Sequence, residues 1–458
     1  MKMKHHQFTN EEIIVFRKKL LAFYDKNKRD LPWRLLAKSL KDSDQRGYAV
    51  WVSEIMLQQT QVATVVNYYN NWMKKWPSIA SLAGATLEEV NEAWSGLGYY
   101  SRGRRLHEAA KKLIESGQPM PKSSKSLVKE LPGIGPYTAS AIASIAFNEV
   151  CGVVDGNVIR VLTRIRMIGA DSSSKAVNDF IWELANTIVD EERPGDFNQG
   201  IMELGATVCT PKSPQCSLCP LSTLCMSYKK FIIIKVTSKG LKCSKDGNIP
   251  NKKEEIIDIE NIKSCKFCLA DSTPWDSKLG VMNFPRKNKN KSPLAEEYDV
   301  AVIQNNNKFL LVQRPNKGLL AGLWEFPLFL RTENSKNEIL SLQVEKRFSI
   351  KIEKIKEINT ITHIFSHRHH TYHVVTGVTE AITDSSSDNE GLKTVWLTKD
   401  SLLKSAISTA VKKIFKECED HEVVQVKSAV KRKREVAVKG QQTLDALFSL
   451  QTSKKKKE

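Results

Sequence analysis

The chain has 458 residues, 41% of them hydrophobic, and a formal net charge of +19. That length predicts two or three domains, and the hydrophobic content is sufficient for buried cores. A strong positive charge favours a polyanionic partner such as nucleic acid, although soluble proteins without such a partner can also be basic. No run of eighteen apolar residues occurs, so the sequence predicts no membrane-spanning helix.

Residues 10–230 are predicted to be mostly helical. Apolar residues recur there at helical spacing, as in EEIIVFRKKLLAFY and VWVSEIMLQQTQVATVVNYY. The preceding segment, residues 1–9, has no apolar stretch of the kind found in secretory signals. The nine cysteines are therefore interpreted as metal ligands or free thiols rather than as a disulfide framework.

Two carboxylates lie in helical, otherwise apolar surroundings. Glu54 is followed by Ile55 and Met56, and burial among such residues would raise its pKa towards that of a working acid. An exposed helix carboxylate is the alternative. Asp155 precedes the apolar run NVIRVLTR, where an aspartate is a good N-cap. A capping position also holds a carboxylate rigidly, so Asp155 can serve both structure and chemistry.

A glycine hairpin joins two predicted helices in LPGIGPYTASAIASIAF, residues 131–147. Gly133 and Gly135 allow a tight turn and expose backbone N–H groups at a helix N-terminus, which suits a phosphate group. A plain helix–turn–helix junction without a ligand is the alternative interpretation.

Four cysteines close the helical half with the spacing C-x6-C-x2-C-x5-C. A structural zinc site would more often pair two short knuckles, and only one is present, so the spacing favours a cubane iron–sulfur cluster. Four unrelated buried thiols would rarely cluster so tightly. The predicted ligands are Cys209, Cys216, Cys219 and Cys225.

The hairpin followed by this cysteine loop resembles the endonuclease III-like DNA glycosylases. The block from Leu31 to Cys225 is similar throughout to the adenine DNA glycosylase (MutY) family, in the motifs LPWR, VWVSEIMLQQTQVATV, WSGLGYYSRGRRL, LPGIGPYTASAI, VVDGNVIRV and MELGATVC. The resemblance implies an all-α helix-hairpin-helix glycosylase domain with a [4Fe-4S] loop. It also implies that Glu54 protonates adenine at N7, that Asp155 stabilises or captures the sugar cation, and that Asn157 helps to hold the site.

The resemblance assigns further residues to base recognition. It implies an adenine pocket formed by Arg29, Trp33, Arg34 and Glu203. It also implies a set of residues that contact the base opposite adenine and fill the gap left by base flipping. They are Leu57, Gln59, Thr60, Leu97 and Tyr99.

The residue type at position 137, here Tyr137, distinguishes two reaction types. Glycosylases of this fold that also cut the strand carry a lysine here, which forms a Schiff base with the sugar. Tyrosine cannot form an imine, so the sequence predicts a monofunctional glycosylase, with Tyr137 either in direct catalytic contact or in ordinary packing. The alternatives are a bifunctional glycosylase/lyase of the endonuclease III type and a damage reader without catalysis.

Residues 231–296 are lysine-rich and polar, and we predict an interdomain connector. This stretch contains Cys243 and the knuckle Cys265-x-x-Cys268. Resemblance to animal members of the family implies zinc held by linker cysteines and an N-terminal histidine, here His5 with His6 as the alternative. Asp258 stands where the family has its third cysteine, so free linker thiols remain the competing interpretation.

Residues 297–418 are predicted to form an α/β module. YDVAVIQNNNKFLLVQR indicates strand, turn and strand, TYHVVTGVTEAI and TVWLT indicate further strands, and residues 399–417 indicate one amphipathic closing helix. GLLAGLWEFP, residues 318–327, resembles the core of a Nudix domain. The acidic R-E-x-x-E-E helix that would hold magnesium is missing, so we expect binding without hydrolysis.

A short loop of this module is assigned to lesion recognition. In the MutY family, a Phe-Ser-His loop of the Nudix-like domain reads 8-oxoguanine. The matching residues lie in HIFSHRHHTYH, for which a histidine-rich metal tract is the alternative. The residues are Phe365, Ser366 and His367.

Residues 419–458 are predicted to be a disordered basic tail. Its two runs of Lys and Arg, at 431–434 and 454–457, are of nuclear-import type; a mitochondrial form stays open. We expect a monomer that binds duplex DNA. A sliding-clamp partner is implied by a resemblance to clamp-docking peptides at Gln441, Leu444, Leu447 and Phe448.

Overall fold

The computed structural model describes residues 4–238, 265–269, 274–286, 293–315, 318, 320–331, 337–365, 368–380 and 388–421. The chain divides into two compact units. The first contains Met1–Leu87 and Arg102–Asn290, and the second contains Glu88–Ser101 and Lys291–Glu458.

One segment falls outside the domain boundaries expected from the sequence. Residues 88–101 were predicted in the helical domain, but they group with the second unit. The hydroxyl groups of Tyr100 and Ser95 both donate hydrogen bonds to the carbonyl of Ile407, at 2.9 and 3.4 Å. These long-range contacts explain the grouping.

The helical half agrees with the predicted pattern. Short 3-10 turns occur at Lys4–His6, Cys216–Leu218 and Gly280–Asn283. The α-helices are α1 Asn10–Asn27, α2 Pro32–Ser39, α3 Ser43–Leu57, α4 Val62–Lys75, α5 Ile79–Ala83, α6 Leu87–Trp94, α7 Ser101–Ser116, α8 Ser124–Glu130, α9 Pro136–Phe147, α10 Gly156–Ile165, α11 Lys175–Ile188, α12 Pro194–Thr207 and α13 Met226–Ser238.

Local chemistry fixes the helix starts that matter for the site. Thr9 and Glu12 form a reciprocal capping box at the start of α1, and Asp42 caps α3 through its carboxylate. Helix α3 is central, because every residue from Gly47 to Met56 is buried. Helices α1, α10, α11 and α12 share one apolar core. The two carboxylates singled out in the sequence are therefore held by rigid, well-packed helices.

Part of the predicted connector is folded onto the first unit. The ring of Phe267 stacks on that of Phe180, with centroids 4.4 Å apart. The backbone N–H of Gly169 donates to the carbonyl of Phe267 at 2.8 Å, and that of Ser172 donates to Arg286 at 2.9 Å. Residues 265–269 and 274–286 of the predicted connector are therefore folded against the first unit. Burial of one aromatic residue, Phe267, fixes this segment although its local composition is polar.

The second unit is built on a mixed sheet. The strands are β1 Leu294–Asn305, β2 Lys308–Gln313, β3 Trp324–Glu325, β4 Leu328–Leu330, β5 Glu353–Ile364, β6 Arg368–Val378 and β7 Thr394–Thr398. Strands β1, β2, β6 and β7 lie where the sequence predicted strands, and Asn306 in the predicted turn has φ +49°. The strand order is β3-β2-β1-β6-β5, with β4 on β1 and β7 on β2, and β1 and β6 are parallel.

Alternation along β1 divides the apolar residues between two cores. Val300 and Val302 face one core, which includes Leu402 and Phe415, and the intervening odd-numbered residues face another with α14, Asn337–Phe348. The sheet is thus covered on both faces by helices, as expected for a Nudix-like fold. None of the helices that the structure describes is long and apolar enough to cross a membrane.

The closing helix differs from the prediction. Residues 399–417 form not one helix but two, α15 at Lys399–Lys404 and α16 at 409–421. Between them the chain forms a bridge with the sheet, because Trp324 N–H donates to the carbonyl of Ala406 at 2.9 Å. Pairing with a strand edge thus interrupts an otherwise amphipathic run.

Candidate active site and metal centres

A cleft of about 490 Å³ opens in the first unit. It brings together the four predicted catalytic residues and the four predicted adenine-pocket residues, which are far apart in the sequence. Leu57 and Thr60 also line it. The lining includes Glu54, Tyr137, Asp155, Asn157, Arg29, Trp33, Arg34 and Glu203.

Glu54 lies on the buried face of α3 with only 5% of its surface exposed. Burial raises its pKa to about 7, and the nearby charge of Asp155 adds to the increase. The hydroxyl of Tyr137 donates to Oε2 of Glu54 at 2.8 Å and partly opposes it. A carboxyl group in this setting is protonated for a substantial fraction of the time at neutral pH, as a general acid requires.

Asp155 is the N-cap of α10. One carboxylate oxygen accepts hydrogen bonds from the backbone N–H groups of Asn157 and Val158, at 2.9 and 2.7 Å, and the other accepts from Nδ2 of Asn157 at 2.7 Å. Burial raises the pKa of Asp155 despite these donors. The structural role predicted for a capping aspartate is thus present, and the cap holds the carboxylate at the cleft.

Buried arginines of α10 connect the cleft to the cysteine loop. Arg160 donates to Oδ1 of Asn157 at 2.8 Å and to the carbonyl of Cys209 at 2.7 Å. One turn further, Arg164 lies 3.4 Å from Sγ of Cys209 and donates to the carbonyl of Thr210 at 2.8 Å. Asp155 therefore connects through Asn157 and Arg160 to the first cysteine of the loop.

The adenine-pocket residues form an ion-pair cluster. Glu203 is 1% exposed and binds Arg29 at 2.5 Å and Arg34 at 2.8 Å. Burial opposes ionisation of Glu203, but the two guanidinium groups outweigh it and hold its pKa below the ordinary value. Trp33 packs edge-on against Tyr69, with ring centroids 5.6 Å apart. The wall of the cleft thus offers fixed donors, acceptors and an aromatic side chain.

The hairpin glycines have different roles. Gly133 has φ +84°, and a Cβ there would lie 2.8 Å from Cβ of Arg105. At Gly135, which caps α9, a Cβ would meet nothing within 4 Å. The first glycine is needed by the fold, and the second leaves the N-terminus of α9 open.

Two turns carry the residues assigned to the opposite base. Gln59, at the turn after α3 in the first unit, is exposed and has φ +57°. Tyr99 in the second unit has φ +47° and is 46% exposed, whereas Leu97 is buried. Of the Leu97–Tyr100 loop, it is therefore Tyr99 that offers an accessible side chain.

The four loop cysteines line a single cavity. The other lining residues are mainly apolar, among them Val161, Leu204 and Val208. Burial raises the pKa of Cys219 and of Cys225 to about 12, so their thiolates need a strongly positive partner. Four thiols that converge on one cavity fit an iron–sulfur cluster.

Three segments of the chain are similar to known protein families. Residues 52–187 match the HhH-GPD superfamily base excision DNA repair proteins, residues 209–225 the iron-sulfur binding domain of endonuclease III, and residues 299–417 the NUDIX domain. Mouse adenine DNA glycosylase is 46% identical over 97% of this chain and 87% of its own length. The chain belongs to the adenine DNA glycosylase family.

The chain is also similar to other proteins. The human adenine DNA glycosylase is 46% identical over 97% of this chain and 82% of its own. A thermostable thymine-DNA glycosylase of known structure is 29% identical over 48% of this chain and 98% of its own, with a TM-score of 0.41. The match at residues 209–225 assigns an iron–sulfur cluster to this glycosylase, and the four loop cysteines all lie within the matched segment.

A second cluster of metal-binding side chains lies at the N-terminus. The ligand atoms of His5, His6, Cys265 and Cys268 all lie within 4.8 Å of one another. Nδ1 of His6 is hydrogen-bonded to the carbonyl of Arg166 at 2.7 Å, so Nε2 faces Sγ of Cys268 at 3.4 Å. The sequence offered His6 only as an alternative to His5, and the structure brings both together.

Several predicted residues lie outside the described residues. They are Cys243, Asp258, Ser366, His367 and the whole clamp-docking motif. Phe365 is described, and its ring packs edge-on against those of His363 and His370, at 4.6 and 4.8 Å.

Sequence reasoning missed Arg160 and Arg164. Both were visible as arginines in the apolar run NVIRVLTR, and a buried cation in such a helix must find acceptors. Their partners include backbone carbonyls of the cysteine loop, which have no sequence signature.

Glu54→Gln is expected to stabilise the protein selectively at alkaline pH. A carboxyl group with a raised pKa favours folding while protonated, and this contribution is lost as pH rises from the unfolded pKa, about 4.3, to the folded one. The neutral amide avoids that loss. At pH 8 the variant should exceed the parent by roughly 1–3 kcal/mol, a difference that disappears near pH 4. Thermal melting at both pH values, with exposed Glu115→Gln as control, measures it. A variant less stable than the parent at pH 8 would contradict the buried-acid interpretation.

Proposed function

We propose that this adenine DNA glycosylase excises adenine that faces 8-oxoguanine or guanine in duplex DNA and leaves the strand uncut. The observation that supports it most directly is Glu54, a buried acid with a pKa of about 7, in one cleft with Asp155. The mouse and human relatives bear the name of this activity.

The chemistry follows from the two carboxyl groups. Tyr137 holds Oε2 of Glu54, so Oε1 carries the proton towards N7 of the flipped adenine. Protonation makes adenine a better leaving group, and the C1′–N9 bond breaks as positive charge develops on the sugar. The Asp155 carboxylate, fixed by its backbone and Asn157 donors, stabilises that charge until water attacks. No step requires a covalent bond to Tyr137.

Recognition is divided between two parts of the chain. We assign Arg29, Trp33, Arg34 and Glu203 to adenine. We assign Gln59, Tyr99 and the Phe365-Ser366-His367 loop to the opposite base, since a site built to hydrogen-bond an oxidised guanine rejects a base that lacks the partner groups. From the sequence of the basic tail we further propose that the protein is delivered to the nucleus and binds a sliding clamp.

The direct test is single-turnover cleavage of duplexes with adenine opposite 8-oxoguanine, guanine or thymine. We expect release of free adenine, fastest opposite 8-oxoguanine and slowest opposite thymine. Glu54→Gln should bind DNA but lose roughly a hundred- to ten-thousand-fold in rate, because general acid catalysis contributes that much. Near-normal turnover by Glu54→Gln, or equal rates on all three duplexes, would refute the assignment.

Tyr137→Lys should introduce strand cleavage. A lysine amine can attack C1′ and form an imine, which the phenol cannot do. Borohydride should trap a covalent protein–DNA species with this variant and little with the parent. Tyr137→Phe is the matched control, because it removes the hydroxyl without supplying an amine. Efficient trapping with the parent would show that the protein is bifunctional.

We also propose a structural zinc ion held by His5, His6, Cys265 and Cys268. Two imidazoles and two thiols are a common tetrahedral donor set for zinc. The hydrogen bond from His6 Nδ1 to Arg166 fixes the ring orientation, as expected behind a metal ligand. Such an ion would tie the N-terminal turn to the segment around Phe267.

Cys268→Ser should abolish zinc binding while retaining iron. Metal analysis of the purified parent is expected to give about one zinc ion per chain in addition to the cluster iron. The control is Cys151→Ser, because Cys151 is a buried thiol of the same unit that donates to the carbonyl of Ser140. A parent protein with iron but no zinc would contradict the proposal.

A further inference from the structure

A buried guanidinium lies beneath the turn that ends α3. Arg102, in the first turn of α7, is 8% exposed. Its Nη1 donates to the carbonyls of Ile55 at 3.0 Å and Met56 at 2.9 Å, and to that of Gln58. Its Nη2 donates to Oγ1 of Thr60 at 3.1 Å. One side chain thus binds both the end of the helix and the turn that follows.

These acceptors need such a donor. The last carbonyls of an α-helix have no intrahelical partner, and they form the negative end of the helix dipole. A cation that binds three of them satisfies both requirements. Arginine suits this position better than lysine, because its planar fork presents several donors in fixed directions.

The turn itself is weakly held from within. Gln59 adopts a left-handed conformation, φ +57°, which a non-glycine residue keeps only when its surroundings impose it. The internal hydrogen bonds are long, 3.3 Å from Thr60 N–H to Leu57 and 3.4 Å from Thr60 Oγ1 to Gln58. The turn is also held by a hydrogen bond from Gln58 Nε2 to Thr138 Oγ1 on α9, at 3.1 Å.

We propose that Arg102 is a positioning residue for recognition of the base opposite adenine. It contacts no base, and it acts by holding the Gln58–Thr60 turn so that exposed Gln59 is presented in one conformation. The inference rests on the proposed function, because that function assigns Gln59 to the opposite base. A purely structural arginine would affect stability but not discrimination.

The test uses the full chain and three variants of graded severity. Arg102→Met removes the guanidinium group, and Arg102→Lys retains the charge. Thr60→Val removes the acceptor of Nη2 together with the long hydrogen bond from Thr60 Oγ1 to Gln58. Arg104→Met is the control, since Arg104 lies on the same helix and pairs with Glu108 at 3.6 Å. All measurements are made well below the melting temperature of each variant.

The first readout is amide hydrogen exchange of the DNA-free protein over residues 57–60. Exchange should be faster in Arg102→Met and Thr60→Val, and unchanged in Arg104→Met. The second is the ratio of second-order rates on adenine opposite 8-oxoguanine and opposite guanine. Arg102→Met should lower this ratio about tenfold, the discrimination of a single base contact. Arg102→Lys should recover part of it.

The outcomes distinguish failure of the proposed function from failure of the positioning role of Arg102. A parent with no preference between the duplexes would refute the proposed function and this role with it. A normal parental preference that Arg102→Met retains, or parental exchange at residues 57–60 in that variant, would refute the positioning role alone.

Discussion

The proposed chemistry depends on one buried carboxyl group. Glu54 lies on a helix that is buried over ten consecutive residues, and there it meets a single hydroxyl donor, Tyr137. Charge is costly in such surroundings, so the proton is retained to a pH at which an exposed glutamate would long be ionised. The hydrogen bond from Tyr137 orients the carboxyl group of Glu54, but it lowers the pKa by less than burial raises it.

Burial raises the pKa of the second carboxylate as well, but several hydrogen-bond donors oppose that increase. Asp155 is nearly as enclosed, but it receives two backbone donors at the start of α10 and one amide donor from Asn157. Donors that stabilise a carboxylate let it serve as an anion beside an acid that stays neutral. Through Arg160, the same helix binds the carbonyl of Cys209. These hydrogen bonds of α10 thus connect the cysteine loop to the carboxylate that we assign to the sugar cation.

The sequence predicted features that depend on local pattern and failed where distant contacts decide. Glu54 and Asp155 were found because apolar neighbours and a capping position are visible within a few residues, and the cysteine loop was found from its spacing. The fold of residues 265–269 was missed, because Phe267 is placed by Phe180 and by the backbone at Gly169. The break in the closing helix was missed for a similar reason, a bridge to Trp324. Arg102 gave no signal, since its partners are backbone carbonyls more than forty residues away.

The central claim is that Glu54 is a neutral acid near physiological pH, and its titration tests this most directly. Infrared difference spectra between the parent and Glu54→Gln isolate the carbonyl stretch of this one carboxyl group as pH is varied. The account predicts a protonated carboxylic acid band that disappears with a midpoint at about 7. A midpoint near the ordinary glutamate value of about 4.3 would contradict it, because Glu54 would then be a carboxylate at neutral pH with no proton to give.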